Sequence, residues 1–226
     1  MAASLTGTPT AITWAGGADP AGQSITIPAD ATAVYMFWSF WNSGNGHGLL
    51  SATLGGNSPN QTAEIATAGG DKTATGVAAW YNPATGSQTL DPAWDASPTE
   101  GSTCIVAYVK DGDTSAWRDA DAAHNTSSTA VTVTLTTVSG DLVLKHDQKF
   151  GGTVPSTSAG WTSAQTQTNN QESARLSSIS ATGTTQVCDS EGEDFSSIVA
   201  ISIPAAGAAA ASLVRRPDPM QVHLTR

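Results

Sequence analysis

Val131-Thr132-Val133-Thr134-Leu135-Thr136 is the stretch that decides the fold class. Large apolar side chains alternate with threonines, the period of two that sets one face of a strand on a core and the other in water. Working outward, Ile25 and Ile27 alternate in the same way with Ser24 and Thr26, and Pro28, with no N–H for a ladder, closes that strand. Three segments are apolar on both faces: 34–41 (VYMFWSFW), 105–109 and 198–203. Strands of that kind are covered on both sides and lie in the middle of sheets. Further strands are expected at 10–15, 48–54, 61–66, 75–82, 86–90, 141–147, 173–180 and 183–188. Between them stand turn-forming clusters such as 42–46 (NSGNG), 55–57 (GGN), 69–71 (GGD), 139–141 (SGD) and 151–152 (GG). About eleven to fourteen short strands with glycine-rich punctuation predict an all-β fold, an antiparallel β-sandwich of jelly-roll-like form. Helical character is confined to a turn near 117–123 and the Ala-rich stretch 205–211, and no repeat of fixed period stands out.

The composition explains how such a fold is filled. Half of the 226 residues are of four kinds: 36 Ala, 22 Gly, 25 Ser and 31 Thr. Leu, Ile, Val and Phe number only 37, below the ~20% that usually separates folded from disordered chains. Charge decides against disorder, because only 28 residues are Asp, Glu, Lys or Arg. The core must therefore be shared among β-branched residues, alanine and aromatics.

One domain is expected over 1–204, then an Ala/Gly linker, 205–212, then an extended C-terminal arm, 213–226 (LVRRPDPMQVHLTR). In the arm Val222 and Leu224 alternate with Gln221 and His223, and Pro217 and Pro219 hold the preceding stretch extended. Leu213, Val214, Met220, Val222 and Leu224 supply apolar surface, and Arg215 and Arg216 supply charge, for adding a strand to the edge of a neighbouring sheet.

Nineteen acids against nine bases give a net charge of −10. The arm and linker hold Arg215, Arg216 and Arg226 against Asp218, so the body carries −12 and the tail +2. That balance excludes the phosphate-neutralising surface of a nucleic-acid binder and attraction to an anionic membrane. No run approaches the ~18 apolar residues that span a bilayer. Residues 1–20 have neither a basic start nor an apolar run, so synthesis in a cytoplasm is expected, with exit by lysis or within an assembled particle.

Few residues suggest chemistry. Asp111, Asp113 and Ser115, followed by Asp119 and Asp121, match the first spacings of a calcium loop. Ala116 stands where such a loop needs Gly, and Ala122 where it needs Glu, so a solvated acidic turn is the better reading and Ca²⁺ the one candidate ion. A second acidic cluster, Asp189, Glu191, Glu193 and Asp194, reads as a solvated loop. His47, His124, His146 and His223 form no metal-binding spacing, and no nucleophile-elbow or phosphate-loop motif occurs. Asp119, Asp121 and His124 are close enough in sequence to be weighed together as a site. Cys104 lies in an apolar run as a small hydrophobe, and Cys188 is the one residue it could pair with. Of seven tryptophans, Trp38, Trp41 and Trp80 belong to strong strands, whereas Trp94, Trp117 and Trp161 lie in polar stretches. Exposed there, they would stack on sugars or anchor a protein interface; tucked back, they would cover the core.

The segments 11–17 (AITWAGG), 24–38 (SITIPADATAVYMFW), 130–147 (AVTVTLTTVSGDLVLKHD) and 196–206 (SSIVAISIPAA) resemble the Ser/Thr/Gly-rich β-sandwich proteins on the particles of tailed bacteriophages. That class includes head decoration (cement) proteins and the receptor-binding heads of fibres. The likeness spans roughly residues 10–206 and is one of texture, so no functional residue is carried over. It implies a jelly-roll-like sandwich, self-association into a homo-oligomer, and attachment to a capsid shell or fibre on the virion surface. The first expectation is a non-enzymatic capsid decoration protein held by its C-terminal arm. The second is a lectin-like fibre head that binds host surface polysaccharide through Trp94, Trp117 and Trp161, with the acidic loops holding calcium.

Overall fold

A computed structural model describes residues 1–14, 21–41, 48–65, 73–95, 102–125, 130–150, 153–168, 172–190 and 196–207. Among them are sixteen strands and no helix. The first nine are β1 (Ser4–Leu5), β2 (Thr10–Trp14), β3 (Gln23–Ile27), β4 (Ala33–Trp41), β5 (Leu49–Leu54), β6 (Gln61–Ile65), β7 (Thr73–Tyr81), β8 (Gly86–Trp94) and β9 (Ser102–Lys110). The remaining seven are β10 (Asp119–His124), β11 (Thr132–Thr136), β12 (Leu142–Phe150), β13 (Thr162–Thr168), β14 (Glu172–Ser180), β15 (Thr185–Asp189) and β16 (Ser197–Ile203).

All pairings are antiparallel. One large sheet runs β1-β9-β4-β7-β6, with β2 also on β9; the other runs β10-β16-β12-β14-β13. Two small sheets, β3-β8-β5 and β11-β15, complete the fold. Three apolar clusters define four layers. Ile25, Ile27 and Leu90 of the first small sheet pack on Met36, Trp38 and Val106 of the first large sheet. The opposite face of that sheet, with Tyr35, Phe37 and Ile105, packs on Leu144, Leu176 and Val199 of the second. The outer face of the second large sheet, with Val143 and Ile198, is covered by Val133, Leu135 and Cys188. The three segments that are apolar on both faces, in β4, β9 and β16, each have a neighbour on both sides, as two-sided burial requires.

The strand order contains a repeat. Taken in chain order, β2, β3, β4, β6, β7, β8 and β9 have the same neighbours as β10, β11, β12, β13, β14, β15 and β16. Each seven-strand unit crosses repeatedly between a large and a small sheet, the path of a jelly roll. The register repeats as well. Phe37 lies between Val77 and Ile105 on the neighbouring strands, and His146 lies between Leu176 and Val199. The large sheets face each other with β12 over β4, β16 over β7 and β14 over β9, while β10 lies over β6 and β13 over β2. This is the pattern of an isologous two-fold contact, made within one chain. The expected span 1–204 thus holds two like units that share a core. Only β1 and β5 lack a counterpart.

Two expectations are corrected. The helical turn near 117–123 is the edge strand β10, whose Ala120 and Ala122 pack toward the central core. The Ala-rich stretch 205–211 forms a turn at 205–207, and its remainder lies outside the described residues. The strand count exceeds the expected range because β1, β10 and β13 (TSAQTQT) carry no run of large apolar side chains to announce them. Cys104 and Cys188 are unpaired and buried in different clusters.

Candidate functional site

The central strand of the second unit, β12 (LVLKHDQKF), is buried along almost its whole length despite four charged or imidazole side chains. Alternation turns Leu142, Leu144 and His146 toward the central core and Val143, Lys145, Asp147 and Lys149 toward the outer layer. Lys145 is fully buried. Its Nζ donates to Ser158 Oγ at 3.0 Å and to the Asp189 carbonyl at 2.7 Å, and lies 3.1 Å from Asp147 Oδ2. The ammonium also sits 4.9 Å from the centre of the Trp161 ring. Arg175, opposite Asp147 on β14, donates to Thr157 Oγ1. Burial pushes the Asp147 carboxyl up to about 6, against the pull of Lys145 and Arg175. An ammonium has three donors and no acceptor; here all three are matched by a coil, a neighbouring strand and its own strand. A catalytic amine needs a free lone pair beside an open cleft. Lys145 works as a clamp.

A second buried pair joins the units' linking segment to the turn before β12. Arg118 Nε lies 2.6 Å from Asp141 Oδ2, and Nη2 lies 3.3 Å from Oδ1. Asp141 also accepts from Val138 N and Ser202 Oγ. This too is fastening, and the sequence reading missed it because a lone Arg and a turn Asp 23 positions apart carry no signal.

The acids weighed for calcium do not converge. Asp113 Oδ1 accepts from Ser115 N and Oγ within its own turn, and Asp111 occupies the turn with φ of 56°. Asp119 lies on β10 and accepts from Thr136 N across to β11, while Asp121 accepts from Ala122 N. Among the described residues no three His, Cys, Asp or Glu side chains lie where they could hold one metal ion. Asp119 and Asp121 share one face of β10, and alternation puts His124 on the other, so the three do not form one site. Asp189 ends β15. Glu191, Glu193 and Asp194, the histidines His47 and His223, and the arm residues Leu213, Val214, Arg215, Arg216, Met220, Val222 and Leu224 lie outside the described residues.

The tryptophan platform is also corrected. Trp94 is buried, edge-on to Trp14 at 6.3 Å and within 5.4 Å of Trp38 and 5.3 Å of Phe40. The reason is that β8 continues past residue 90, and alternation carries Leu90, Pro92 and Trp94 inward together. Trp117 is half-buried against the central core, with its backbone N–H donated to Gln61 Oε1 at 3.0 Å. Trp161 is half-buried over Lys145. Trp94 is thereby removed from the platform, while Trp117 and Trp161 keep part of their surface exposed.

The turns between β5 and β6 and between β7 and β8, with the strand ends that flank them, form a groove. One hollow of about 370 Å³ is rimmed by Asn57, Asn60, Asn82 and Gln88 above Leu54 and Trp80. It adjoins a second of about 380 Å³ that reaches Leu50, and the two share Ser58 and Asn60. No charged side chain lines either. Trp80 Nε1 donates to the Asn57 carbonyl at 2.8 Å, and Asn60 Oδ1 accepts from Tyr81 N at 2.8 Å, so the floor and one wall are fixed. Asn82 sits at φ of 50°, which asparagine tolerates better than most residues.

No family model, curated protein or solved structure matches this chain. The fold therefore defines the class: an all-β, antiparallel sandwich protein of two like units, fastened by buried ion pairs.

Proposed function

We propose that the chain is a non-enzymatic structural protein of a virion surface, a capsid decoration protein whose arm, 213–226, grips a neighbouring copy or the shell. The observation that carries this reading is how the fold uses its charge: Lys145, Asp147, Arg118 and Asp141, the groups with the burial and geometry of catalytic residues, are spent on joining layers. The outward faces of β3 and β11 present Ser24, Thr26, Thr132 and Thr134, a hydroxyl-rich coat over a rigid stack. A −12 body and a +2 tail are complementary between copies, and Arg–carboxylate pairs fix register as well as adding energy. The resemblance to phage particle proteins points the same way.

Deleting 213–226 should leave the body folded, with an unchanged far-UV spectrum, and abolish both self-association and binding to particles. A truncated chain that oligomerises at the same concentration, or still decorates particles, overturns the reading.

A further inference from the structure

We propose that the groove between the β5–β6 and β7–β8 turns binds a neutral oligosaccharide. Four carboxamides, Asn57, Asn60, Asn82 and Gln88, rim it, and no charged side chain enters it, although 28 residues of the chain are charged. An amide offers both a donor and an acceptor, which matches a sugar hydroxyl that is also both. The side chains of Asn82 and Gln88, which line the hollow, make no hydrogen bond to any other described residue, so both amides are open to a ligand. Beneath the rim the buried Leu54 and Trp80 close the bottom of the hollow, and the half-buried Tyr81 and Pro83 give the apolar surface that meets the C–H face of a sugar ring.

Half of the rim is preorganised, which lowers the cost of ordering on binding. Asn57 Nδ2 donates to the Leu54 carbonyl at 3.4 Å and Asn60 Oδ1 accepts from Tyr81 N at 2.8 Å, so these two amides are held in place. Two hollows of similar volume in line, joined at Ser58 and Asn60, fit a chain of sugar units better than one unit.

The shared topology does not require these residues. The second unit builds the same topology with Ile179, Ser180 and Ala181 where the first has Trp80, Tyr81 and Asn82, and it has no strand matching β5. The amides and β5 are thus features of one unit only, and the shared architecture does not account for them. The inference is independent of the arm: deletion of 213–226 should leave sugar binding intact.

The test is a titration of the full-length ¹⁵N-labelled chain with short glucan, mannan and galactan oligosaccharides, read at the Trp80 indole N–H and the Asn and Gln side-chain amides. At least one neutral sugar should give saturable shifts at these signals, with a dissociation constant in the millimolar range or tighter. Asn82→Gly with Gln88→Ala should weaken that binding about tenfold or more while leaving the native spectrum in place; glycine keeps the positive φ available. Absence of shifts with every sugar, or unchanged binding by the double variant, overturns the proposal. Stronger shifts with an acidic or peptide ligand than with any neutral sugar would overturn the assignment of ligand class.

Discussion

The two units place opposite chemistry at the same position. β4 in the first reads AVYMFWSFW; β12 in the second reads LVLKHDQKF. Both are central strands with matching neighbours and register. Where Met36, Trp38 and Phe40 face the outer layer in the first unit, Lys145, Asp147 and Lys149 do so in the second. The lids differ to match. The apolar face lies under the three-stranded sheet β3-β8-β5, while the charged face takes a coil, 153–161, whose Thr157 and Ser158 accept hydrogen bonds. The neighbour on the adjacent strand changes too: Gly76 lies beside Trp38, and Arg175 lies beside Asp147. The pairing pattern is thus indifferent to what a strand buries, provided its lid satisfies it.

The largest expected effect breaks the charged version of this arrangement. Lys145→Met leaves Asp147 buried without its closest cation and Ser158 without its donor. Removing one member of a buried pair typically costs about 3–5 kcal/mol, and urea unfolding should show a loss of that size. Replacing both, as Lys145→Met with Asp147→Leu, brings the strand closer to β4 and should recover much of it. A single variant within about 1 kcal/mol of wild type would mean that the clamp is decorative.

Next in size is a pH effect that the first unit cannot show. His146 stacks on Phe37, its own counterpart in the other unit, with ring centres 6.0 Å apart, and neither ring nitrogen has a hydrogen-bond partner among the described residues. Burial drives its protonation down to about 3 from the usual 6.5. The unfolded chain therefore binds a proton that the folded one refuses, and His146 costs stability progressively as pH falls from 6.5 toward 3. Asp147 works in the opposite sense: raised from 3.8 to about 6, it favours its protonated form in the fold, so its penalty is present above about 6 and is relieved as pH falls toward 3.8. The two partly cancel in the native protein. His146→Leu should unmask the second, gaining about 2–3 kcal/mol over wild type between pH 7 and pH 4. Parallel pH profiles for the two proteins would show that the imidazole does not resist protonation.

Smaller still is Gly76→Ala. The added Cβ would meet the Trp38 ring at 2.5 Å and the Ala63 carbonyl at 2.8 Å. Overpacking of this kind costs about 1–3 kcal/mol, and Trp38→Phe in the same chain should relieve part of it. An alanine variant as stable as wild type would remove the proposed match between a large side chain and a bare neighbour.

Much of the fold was legible because alternation survives in any environment: 131–136, 24–27 and the two-sided runs in β4, β9 and β16 read directly as strands. The repeat was not, for a physical reason. Phe37 and His146 are 109 positions apart, Val77 and Leu176 are 99, and Ile105 and Val199 are 94, so loops of unequal length blur any period. Residue identity hides it as well, since Trp38 answers to Asp147 and Gly76 to Arg175. The burial of Lys145 and Asp147 was not legible because charge is normally solvated; only the lid over them, distant in sequence, reverses that. The amide groove was invisible because Asn and Pro at 57–60 and 82–83 are also what turns are made of.

The smallest expected effect tests whether exposure alone separates two ion pairs in comparable turns. In the first unit Lys110 Nζ lies 3.3 Å from Asp30 Oδ2, with both side chains largely in water; in the second, Arg118 and Asp141 meet at 2.6 Å with side-chain exposures of 5% and 3%. The Thr6 hydroxyl donates to Asp30 and is the largest influence holding its carboxyl below the usual range, ahead of Lys110. Solvent screening leaves an exposed pair little to contribute. Lys110→Ala should therefore leave the urea midpoint where it is at low salt and high salt alike, while Arg118→Ala, which strands a buried carboxylate among Val138 N and Ser202 Oγ, should lower it clearly at both. A salt-dependent drop for Lys110→Ala, equal to that for Arg118→Ala, would mean that burial does not distinguish the two units' fastenings.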